Sequence, residues 1–471
     1  MFEKLDIVKP ALKNLVSELR KKYAYASVLA VQDDSRAWRI NRAGKRINNV
    51  GLGGGSGYVV RVFDQIGCAE YSFNEFSEEK IPEIVKTIEE RIAHQTANVP
   101  DGIKPLPTPI PSDETATLKK VSGYAIDPRE LGDEKILERL DSIRNKTLSV
   151  DGVLDAMVNV SYRKFRKLFI SENRDLDQTV MWTNGAIVAL ALRGEEVKDA
   201  YKGFSQLGGA EILDRMEEFA TEVANKAIEL LSSEQMIPGE YDCICDPDTT
   251  GMIVHEAFGH GVEMDMFVKD RALAKSYMNK QVASSLVTMH DNAATCNECG
   301  SYFFDDEGMI SNDTVIIEKG ILKSGINDLQ SAYILNVSST GNGRRESYER
   351  KAYTRKTNTY FEPGTDTLEE MIKSIRYGFL LENAASGMED PKNWGIQCMV
   401  NIGREIKDGK LTVKIFSPIF LSGYVTDFLK SITMISDKLE LSGCGYCGKG
   451  YKEWVKVSDG GSAIKARVKI S

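Results

Sequence analysis

The feature that most constrains the fold is a long amphipathic helix that separates two unlike halves of the chain. Between about residues 212 and 230, apolar residues recur every three or four positions, which is the period of one buried helix face. Helical and strand-like segments mix before this helix, whereas the sequence after Pro238-Gly239 is mostly β-type. The pattern predicts an α+β chain, with an N-terminal α+β domain over residues 1–235 and a β-rich C-terminal domain over residues 236–471. The apolar stripe comprises Ile212, Met216, Phe219, Val223, Ala227 and Leu230.

Short local patterns predict individual elements on either side of this helix. A first helix is expected to begin near Pro10, because proline suits the first helical turn and an apolar stripe follows it. Five prolines fall within twelve residues, so we expect an extended loop or linker over about residues 96–120. Lys-Gly and Asp-Gly turns predict β-hairpins at residues 316–322 and 406–411. A capping box at residues 367–370 predicts the start of a C-terminal helix.

A glycine-rich segment at residues 51–57, GLGGGSG, invites comparison with the loops that bind phosphate groups. It lacks both the Gly-Lys-Ser/Thr ending and the Gly-x-Gly-x-x-Gly spacing of those loops, and it runs into a strand-like segment. We therefore expect a flexible hairpin turn here and not a nucleotide site.

The charge balance and the apolar runs exclude two broad classes of function. The chain carries 60 Lys and Arg against 69 Asp and Glu, for a net charge of −9 and a pI near 5.3. Nucleic-acid binders draw much of their affinity from a basic excess, so no nucleic-acid partner is expected. The longest apolar run, Ala186–Leu192, is too short to span a bilayer. The N-terminus lacks the pattern of a secretory signal, which predicts a cytoplasmic protein.

Two of the four histidines fall close together, in the segment VHEAFGHGVE, as His255 and His260. In the zinc-peptidase pattern His-Glu-x-x-His, the two ligands stand at i and i+4, about 40° apart around the helix. Here the second histidine is at i+5, which is about 140° away on a regular helix. Either the helix is loosened by one residue, as in a π-bulge or a break at Gly259, or the two histidines do not bind the same metal.

The spacing leaves the ligand set open. A regular helix would present Glu256 and His260 together, with Glu263 nearly one turn further on, and a buried pair of structural histidines is the alternative without metal. If both histidines are ligands, a catalytic zinc needs a third protein ligand and an open position for water. Glu256 would then accept the proton of that water, which favours amide hydrolysis.

The cysteines suggest competing explanations. Cys296-x-x-Cys299 and Cys444-x-x-Cys447 together supply four thiols, but the long separation of the pairs is unlike a compact zinc ribbon. Either pair is also a candidate for redox chemistry, although neither visibly opens a helix in a βαβ unit.

Five dispersed segments resemble the TldD/PmbA family, whose members are named as modulators of DNA gyrase and understood as cytoplasmic metallopeptidases. The segments keep the family's order, and the resemblance covers nearly the whole chain. They are HEAFGHGVEMD (255–265), FFDDEG (303–308), SSTGNGRRESY (338–348), RKTNTYFEPG (355–364) and GYCGKG (445–450).

The resemblance implies a metal site in the β-rich domain, on the helix that carries the histidine motif. It implies that His255, His260 and Cys447 bind zinc, one ion per active subunit, with Glu256 as the catalytic base. Cys447 is preferred over Cys444 because Gly-Lys follows it, as in the family motif. TldD-type members keep this set, whereas PmbA-type (TldE) members lack it and act as inactive partners. This chain keeps the set.

The resemblance also implies how the protein assembles and what it binds. Family members form dimers around an inner cavity, so we expect a homodimer or a heterodimer with a PmbA-like subunit. Their substrates are unfolded or small peptides bound as an added strand, a mode that suits the β-rich half because an edge strand pairs with any extended backbone. One position departs from the family pattern: Lys356 stands where the family usually has methionine, which alters a substrate-lining position and not the metal.

We expect substrate contacts from the turn and the two arginines of the third segment, Ser339, Thr340, Gly341, Asn342, Arg344 and Arg345. The glycine lets a substrate backbone approach closely. Either arginine is a candidate electrophile for the oxyanion, and the alternative for both is a salt bridge to the acidic residues 305–307. His290 is a further candidate for polarising a carbonyl, although a lone histidine is more often structural.

Three hypotheses follow. The first is a zinc-dependent peptidase in which a metal-activated water attacks an extended peptide and Glu256 is the general base. The second is a non-catalytic dimer subunit or peptide-binding module with a structural metal. The third is a cysteine-based oxidoreductase, whose activity would survive chelation and disappear on Cys296→Ser.

Overall fold

The computed structural model describes residues 2–49, 55–63, 67–97, 114–449 and 452–471. Helices and strands both occur in these residues, and the C-terminal half contains much less helix than the N-terminal half, which confirms the α+β class. No helix in the described ranges is long and apolar enough to cross a membrane. The elements of the N-terminal half are α1 (Glu3–Arg20), β1 (Tyr25–Asn41), β2 (Gly44–Asn48), β3 (Gly57–Phe63), β4 (Cys68–Phe73), α2 (Ile81–Ala97), β5 (Ala116–Val121), α3 (Pro128–Leu131), α4 (Asp133–Leu148), β6 (Val153–Ser171), β7 (Arg174–Arg193), β8 (Glu196–Gln206) and α5 (Ile212–Leu230).

One sheet organises the described part of the N-terminal half. Its strands follow the order β4-β3-β1-β6-β7-β5, with β2 added to β1 and β8 added to β7. Neighbouring strands are antiparallel except β5 and β7, which run parallel. Helices α1 and α2 bury apolar side chains against one part of this sheet, and α4 and α5 bury theirs against another. The stripe that separates the two halves is thus confirmed as a buried helix, α5.

The first helix begins earlier than the sequence pattern suggests. It starts at Glu3 and contains Pro10 in its interior, so the prediction of a start near Pro10 is wrong. Leu5 lies fully buried in the same cluster as Leu12, and burial of the earlier turn outweighs the hydrogen bond that proline cannot donate.

The predicted proline-rich loop over residues 96–120 is wrong at both ends. Helix α2 continues through Ala97, and Ala116–Val121 form strand β5, which pairs with β7. Residues 98–113 of the loop lie outside the described residues, as do residues 51–54 of the glycine-rich segment.

The C-terminal half contributes two larger sheets. Its elements are β9 (Gly239–Cys245), α6 (Pro247–Ile253), α7 (Met264–Val268), β10 (Met289–Asn292), β11 (Asp313–Glu318), β12 (Ile321–Leu322), α8 (Leu329–Leu335), β13 (Gly343–Arg344), β14 (Tyr353–Thr354), β15 (Asn358–Phe361), α9 (Leu368–Lys373), β16 (Tyr377–Asp390), β17 (Gly395–Lys407), β18 (Lys410–Phe416), β19 (Ile419–Tyr424), α10 (Val425–Lys430), β20 (Met434–Ile435), β21 (Glu440–Ser442), β22 (Tyr446–Lys449), β23 (Lys452–Lys456), β24 (Ser458–Gly461) and β25 (Ile464–Ile470).

One of these sheets closes into a barrel. Strand β16 pairs with both β9 and β17, so the run β16-β9-β25-β19-β17 returns to its starting strand. The other sheet has the order β12-β11-β10-β15-β24-β21. Helix α6 contacts β16 of the barrel and β24 of the other sheet, so it lies between them. The segment that continues α6 carries the histidine motif.

Three local predictions in this half are confirmed. The hairpins pair Ile317 with Leu322 and Ile406 with Leu411, across the Lys-Gly and Asp-Gly turns. The capping box begins α9, where the side chain of Thr367 accepts from the backbone N–H of Glu370. The domain boundary near residue 235 stays a prediction.

Candidate metal centre

The histidine segment continues α6 in a loosened form. The side chain of Asp246 caps α6 by accepting from the backbone N–H of Thr249 at 2.7 Å, and Pro247 occupies the first helical position. The helix then becomes π-helical over Val254–Gly259, with i→i+5 hydrogen bonds, and a 3-10 turn follows at His260–Val262. The loosened helix suggested by the i+5 spacing of the histidines is therefore confirmed.

The loosened turn brings the two histidine rings together, and a distant cysteine joins them. The ring centroids of His255 and His260 are 5.5 Å apart, with their planes at 90°. Cys447, on β22, places its Sγ 3.4 Å from Nε2 of His260. One ligand atom from each of the three residues lies within 4.8 Å of the others. Across the described ranges, this is the one group of three or more His, Cys, Asp or Glu side chains placed to share a metal ion.

The thiol of Cys447 has surroundings that favour its metal-binding form. Burial alone would raise the pKa of Cys447, but the positive charges of Lys356, His255, His260 and Arg355 hold that pKa well below its ordinary value. The guanidinium of Arg355 donates to Sγ of Cys447 at 2.8 Å and to its carbonyl oxygen at 3.0 Å. Because metals bind the thiolate, this cysteine suits a ligand position.

A carboxylate lies behind each histidine. Oε2 of Glu263 is 3.4 Å from Nδ1 of His260, and Oδ2 of Asp459 is 3.5 Å from Nδ1 of His255. Such carboxylates orient the imidazoles that bind metals. Nδ1 of His255 is buried and makes no hydrogen bond within the described residues. Two imidazoles and a thiolate are ligand types that zinc prefers, and three protein ligands are the number found in catalytic zinc sites, so the residues fit a zinc ion.

Glu256 is a partly exposed neighbour of this group. Its Oε1 is 3.9 Å from Nε2 of His255, and its side chain is 17% exposed, compared with 7% for that histidine. Glu256 packs against β16 at Gly387, where an added Cβ would lie only 2.6 Å from Cγ of Glu256. Glycine at this position therefore lets the carboxylate lie between the strand and the histidines.

Sequence reasoning missed three groups around the centre. Arg355 holds the thiol, Asp459 faces His255, and Oε2 of Glu389 accepts from the backbone N–H of Gly261 at 3.0 Å. Burial raises the pKa of Glu389 well above its ordinary value. Arg355 was detectable as the first residue of a family segment, whereas no sequence signal singled out Glu389 or Asp459.

The predicted substrate turn is mostly buried and belongs to the protein's own hydrogen-bond network. Oγ1 of Thr340 accepts from the backbone N–H of Asn327 at 2.8 Å. The amide of Asn342 donates to Asp291 at 2.8 Å and to the carbonyl of Arg355 at 3.1 Å. The turn therefore supports the segment that holds Cys447. Within it, Ser339 is half-buried and Gly341 has a φ of +72°.

The two predicted substrate arginines are also engaged internally. Arg344 donates to the backbone carbonyls of Lys356 and Lys456, the latter at 2.7 Å. Arg345 pairs with Glu70 of the N-terminal sheet at 2.5 Å.

The acidic residues 305–307 are not the ion-pair partners of these arginines, so that alternative is wrong. Glu307 pairs with Arg61 at 2.6 Å and Asp306 pairs with Lys167, both from the N-terminal sheet. The sequence could not indicate this arrangement, because partners from distant strands meet only in the folded chain.

His290 lies away from the metal centre. Its Nδ1 is 2.7 Å from Oδ1 of Asp313, its Nε2 is 2.8 Å from Oε1 of Glu362, and its ring stacks on Tyr360. Both ring nitrogens are thereby occupied by carboxylates, which favours the structural role.

The remaining cysteines do not join the cluster. All eight cysteines are free thiols. Sγ of Cys299 faces the backbone carbonyls of Thr183 and Gln206 at 3.6 Å, and burial raises the pKa of Cys296 to about 12. A four-cysteine metal site is absent from the part of the chain that the structure describes. The raised pKa of Cys296 also argues against a reactive thiolate there.

Several known proteins are similar to this chain in sequence. Residues 238–464 match the family described as the PmbA/TldA metallopeptidase C-terminal domain. A metalloprotease of Methanothermobacter thermautotrophicus is 30% identical over 322 residues, which are 68% of this chain and 70% of that relative. The chain belongs to the TldD/PmbA family. A metalloprotease of Methanocaldococcus jannaschii extends the match at 28% identity over 437 residues, 90% of this chain and 92% of its own length.

The names of these TldD/PmbA relatives agree on one activity. A protein of Saccharolobus solfataricus named a zinc metalloprotease TldD homolog is 26% identical over 337 residues, 70% of this chain and 75% of its length. Because the relatives are named metalloproteases, the enzyme class of this chain is that of a metallopeptidase.

Solved structures share the TldD/PmbA fold. TldE from Thermococcus kodakarensis superposes with a TM-score of 0.73 at 17% identity, covering 98% of this chain and 100% of that one. A Thermotoga maritima protein described as a candidate modulator of a DNA gyrase gives 0.77 at 16% identity, covering 98% and 100%.

Proposed function

We propose that this chain is a TldD-type zinc-dependent peptidase that hydrolyses unfolded peptides bound in an extended form. The observation that carries the proposal is the convergence of His255, His260 and Cys447 beside the partly exposed Glu256. One relative is named a zinc metalloprotease, and the donor set of this chain suits zinc.

Each residue has a distinct part in the proposed reaction. His255, His260 and Cys447 would hold one zinc ion, which would polarise the scissile carbonyl and lower the pKa of a water molecule. Glu256 would take the proton of that water on a carboxylate oxygen and pass it to the departing amine. The partial exposure of Glu256 supports this role, because a proton shuttle must reach the substrate.

One edge of β16 near Glu256 lacks a partner strand within the described ranges, which supports an extended peptide as the substrate. However, Asn383 and Ala384 on this edge already donate their backbone N–H groups to acidic side chains of residues 246 and 248. Strand β16 pairs with β9 only as far as Leu381, while its pairing with β17 continues to Asp390. Beyond Leu381, no strand among the described residues pairs with the other edge of β16. Gly387, which contacts Glu256, lies on this stretch. A peptide added there would be bound through its main chain, with low sequence specificity.

The assembly forms part of the same proposal. We expect a homodimer or a heterodimer with a PmbA-like subunit, since a solved TldE shares the fold over nearly the whole chain. Sedimentation of the purified protein, alone and mixed with such a subunit, would distinguish the two.

The zinc content of the purified protein tests the ligand set. About one zinc per chain is expected for the wild type and for Cys444→Ser, and none for Cys447→Ser. Cys444→Ser is the matched control, because it removes a thiol three residues away from the proposed ligand. Zinc lost only with Cys444→Ser would show that the wrong cysteine was assigned.

Cleavage of an unstructured peptide by the zinc-loaded protein tests the catalytic role. Glu256→Gln should retain zinc and lose cleavage by about 100-fold or more, as expected for a missing general base. Cleavage that persists in this variant would remove Glu256 from the mechanism. Zinc without any cleavage in the wild type would favour a non-catalytic subunit with a structural metal.

A further inference from the structure

Lys356 is a fully buried lysine whose ammonium group lies beside the proposed ligands, so the expectation that it lines the substrate site and leaves the metal unaffected is wrong. None of its surface is exposed. Its Nζ donates a hydrogen bond to the backbone carbonyl of His255 at 2.8 Å. Its charge helps to lower the pKa of Cys447, but the hydrogen bond to His255 has no part in the proposed reaction and requires its own explanation.

The carbonyl oxygen that accepts from Lys356 also takes part in the hydrogen bonding of the loosened helix. In an α-register it would accept from the N–H of Gly259, whereas the π-register gives it the N–H five residues on, that of His260. The carbonyl oxygen of His255 thus links the backbones of both histidines. A second, charge-assisted hydrogen bond from Lys356 stabilises this oxygen in its π-register position.

Gly259 makes room for the lysine. A Cβ added at Gly259 would lie 2.7 Å from Cδ and 3.2 Å from Nζ of Lys356. The lysine side chain therefore packs directly on the helix at the residue where the register changes. A side chain that inserts beside the helical hydrogen-bond ladder is a recognised cause of such local loosening.

We infer that Lys356 is a positioning residue that maintains the π-turn and so keeps His255 and His260 on one side of the helix. The inference rests on the proposed function, because it concerns the same three ligands. In an α-register the two imidazoles would stand about 140° apart around the axis and could not share an ion. Lys356 thus acts through the backbone and does not touch the reacting atoms.

Two measurements on Lys356→Met test the inference. This variant keeps an unbranched, mostly apolar side chain that is one atom shorter, and it removes both the charge and the hydrogen bond. Zinc affinity, measured by competition with a chromophoric chelator, should fall by about 10- to 100-fold, as is typical when a group supporting a ligand is lost. Amide hydrogen exchange at residues 258–261 of the metal-free protein should become faster. The thiolate-to-cobalt absorption band of the cobalt-loaded protein should also weaken or shift.

Lys456→Met is the matched control. Lys456 is also buried, but its Nζ has no hydrogen-bond partner within the described residues and lies over the rings of Trp182 and Tyr446. This variant should keep wild-type exchange at residues 258–261. If Lys356→Met matches the wild type in both zinc affinity and exchange, the inference is wrong.

A double-mutant cycle tests the fit between the lysine and the glycine. Gly259→Ala should destabilise the protein strongly with lysine at position 356 and much less in a Lys356→Ala background, where the added methyl group has space. Equal effects in the two backgrounds would contradict the inference. A wild-type protein that binds no zinc would refute the proposed function, while exchange in metal-free protein would still test the role of Lys356.

Discussion

The metal centre and the contact between the N-terminal sheet and the C-terminal half both contain buried polar side chains. The contact comprises Arg61, Glu70, Glu307 and Arg345, and the two regions differ in how fully these side chains are paired. At the contact, Arg61 pairs with Glu70 and Glu307, and Arg345 pairs with Glu70. At the centre, by contrast, Nδ1 of His255 is buried without a hydrogen-bond partner in the described ranges.

Burial of charged side chains does not by itself indicate a binding site. Arg344 and Arg345 suggested substrate binding, yet in the folded chain Arg344 donates to backbone carbonyls and Arg345 pairs with Glu70. At the centre, by contrast, one donor atom from each of His255, His260 and Cys447 converges on a common point. Three substitutions or titrations should separate the two regions.

The largest effect is expected for Arg355→Met at the metal centre. The guanidinium contacts Sγ of Cys447 at 2.8 Å and lies 3.4 Å from Oε1 of Glu263, which faces His260. Removing one member of a buried charge network costs about 3–5 kcal/mol. We expect urea unfolding to show this loss and a zinc titration to show at least a tenfold weaker affinity. Unchanged zinc affinity would show that Arg355 does not support the proposed zinc ligands.

A smaller effect, dependent on pH, is expected at the contact. Burial alone would raise the pKa of Glu70, but Arg61 and Arg345 lower it to about 2. A depressed pKa stabilises the folded state above the ordinary value near 4.5, and this stabilisation is lost as the pH falls towards 2. It amounts to about 3 kcal/mol.

Urea unfolding between pH 6 and pH 3 checks this expectation against Glu70→Gln. The wild type should lose stability more steeply than the variant as the pH falls. Parallel pH profiles for the two proteins would mean that the contact does not depend on the charge of Glu70.

The smallest effect is expected for Glu307→Gln, also at the contact. Arg61 keeps its second partner, Glu70, so the loss should be about 1–3 kcal/mol in the free energy of unfolding. Zinc content and cleavage rate per folded molecule should equal those of the wild type. A loss of zinc in Glu307→Gln would show that the contact affects the metal centre, so the two regions would not be independent.

The sequence predicted those parts of the centre that are encoded locally. The i+5 spacing of His255 and His260 demands a loosened helix or separate roles, and the π-turn fulfils the first option. The proposed third ligand was different, because Cys447 lies 187 residues beyond His260 and only the family resemblance selected it. The capping box and hairpins were predictable for the same local reason.

The failures share one cause, which is that the decisive partners are distant in sequence. Arg345 meets Glu70 across 275 positions, so nearby acids were the wrong partners to consider. Lys356 donates to the backbone carbonyl of His255, and every residue has such a carbonyl, so the sequence does not indicate which one is the partner. Pro10 stands inside a helix because burial of Leu5 in tertiary packing outweighs a local preference.

The distance between the donors has a further consequence for biosynthesis. During synthesis, His255 and His260 are added long before Cys447, which follows His260 by 187 residues. Strand β25, which completes the barrel between β9 and β19, is added later still. A nascent chain with only the histidines lacks the third donor of the proposed set. If the proposed ligand set and peptidase activity are correct, the chain gains that activity only after its synthesis has passed Cys447.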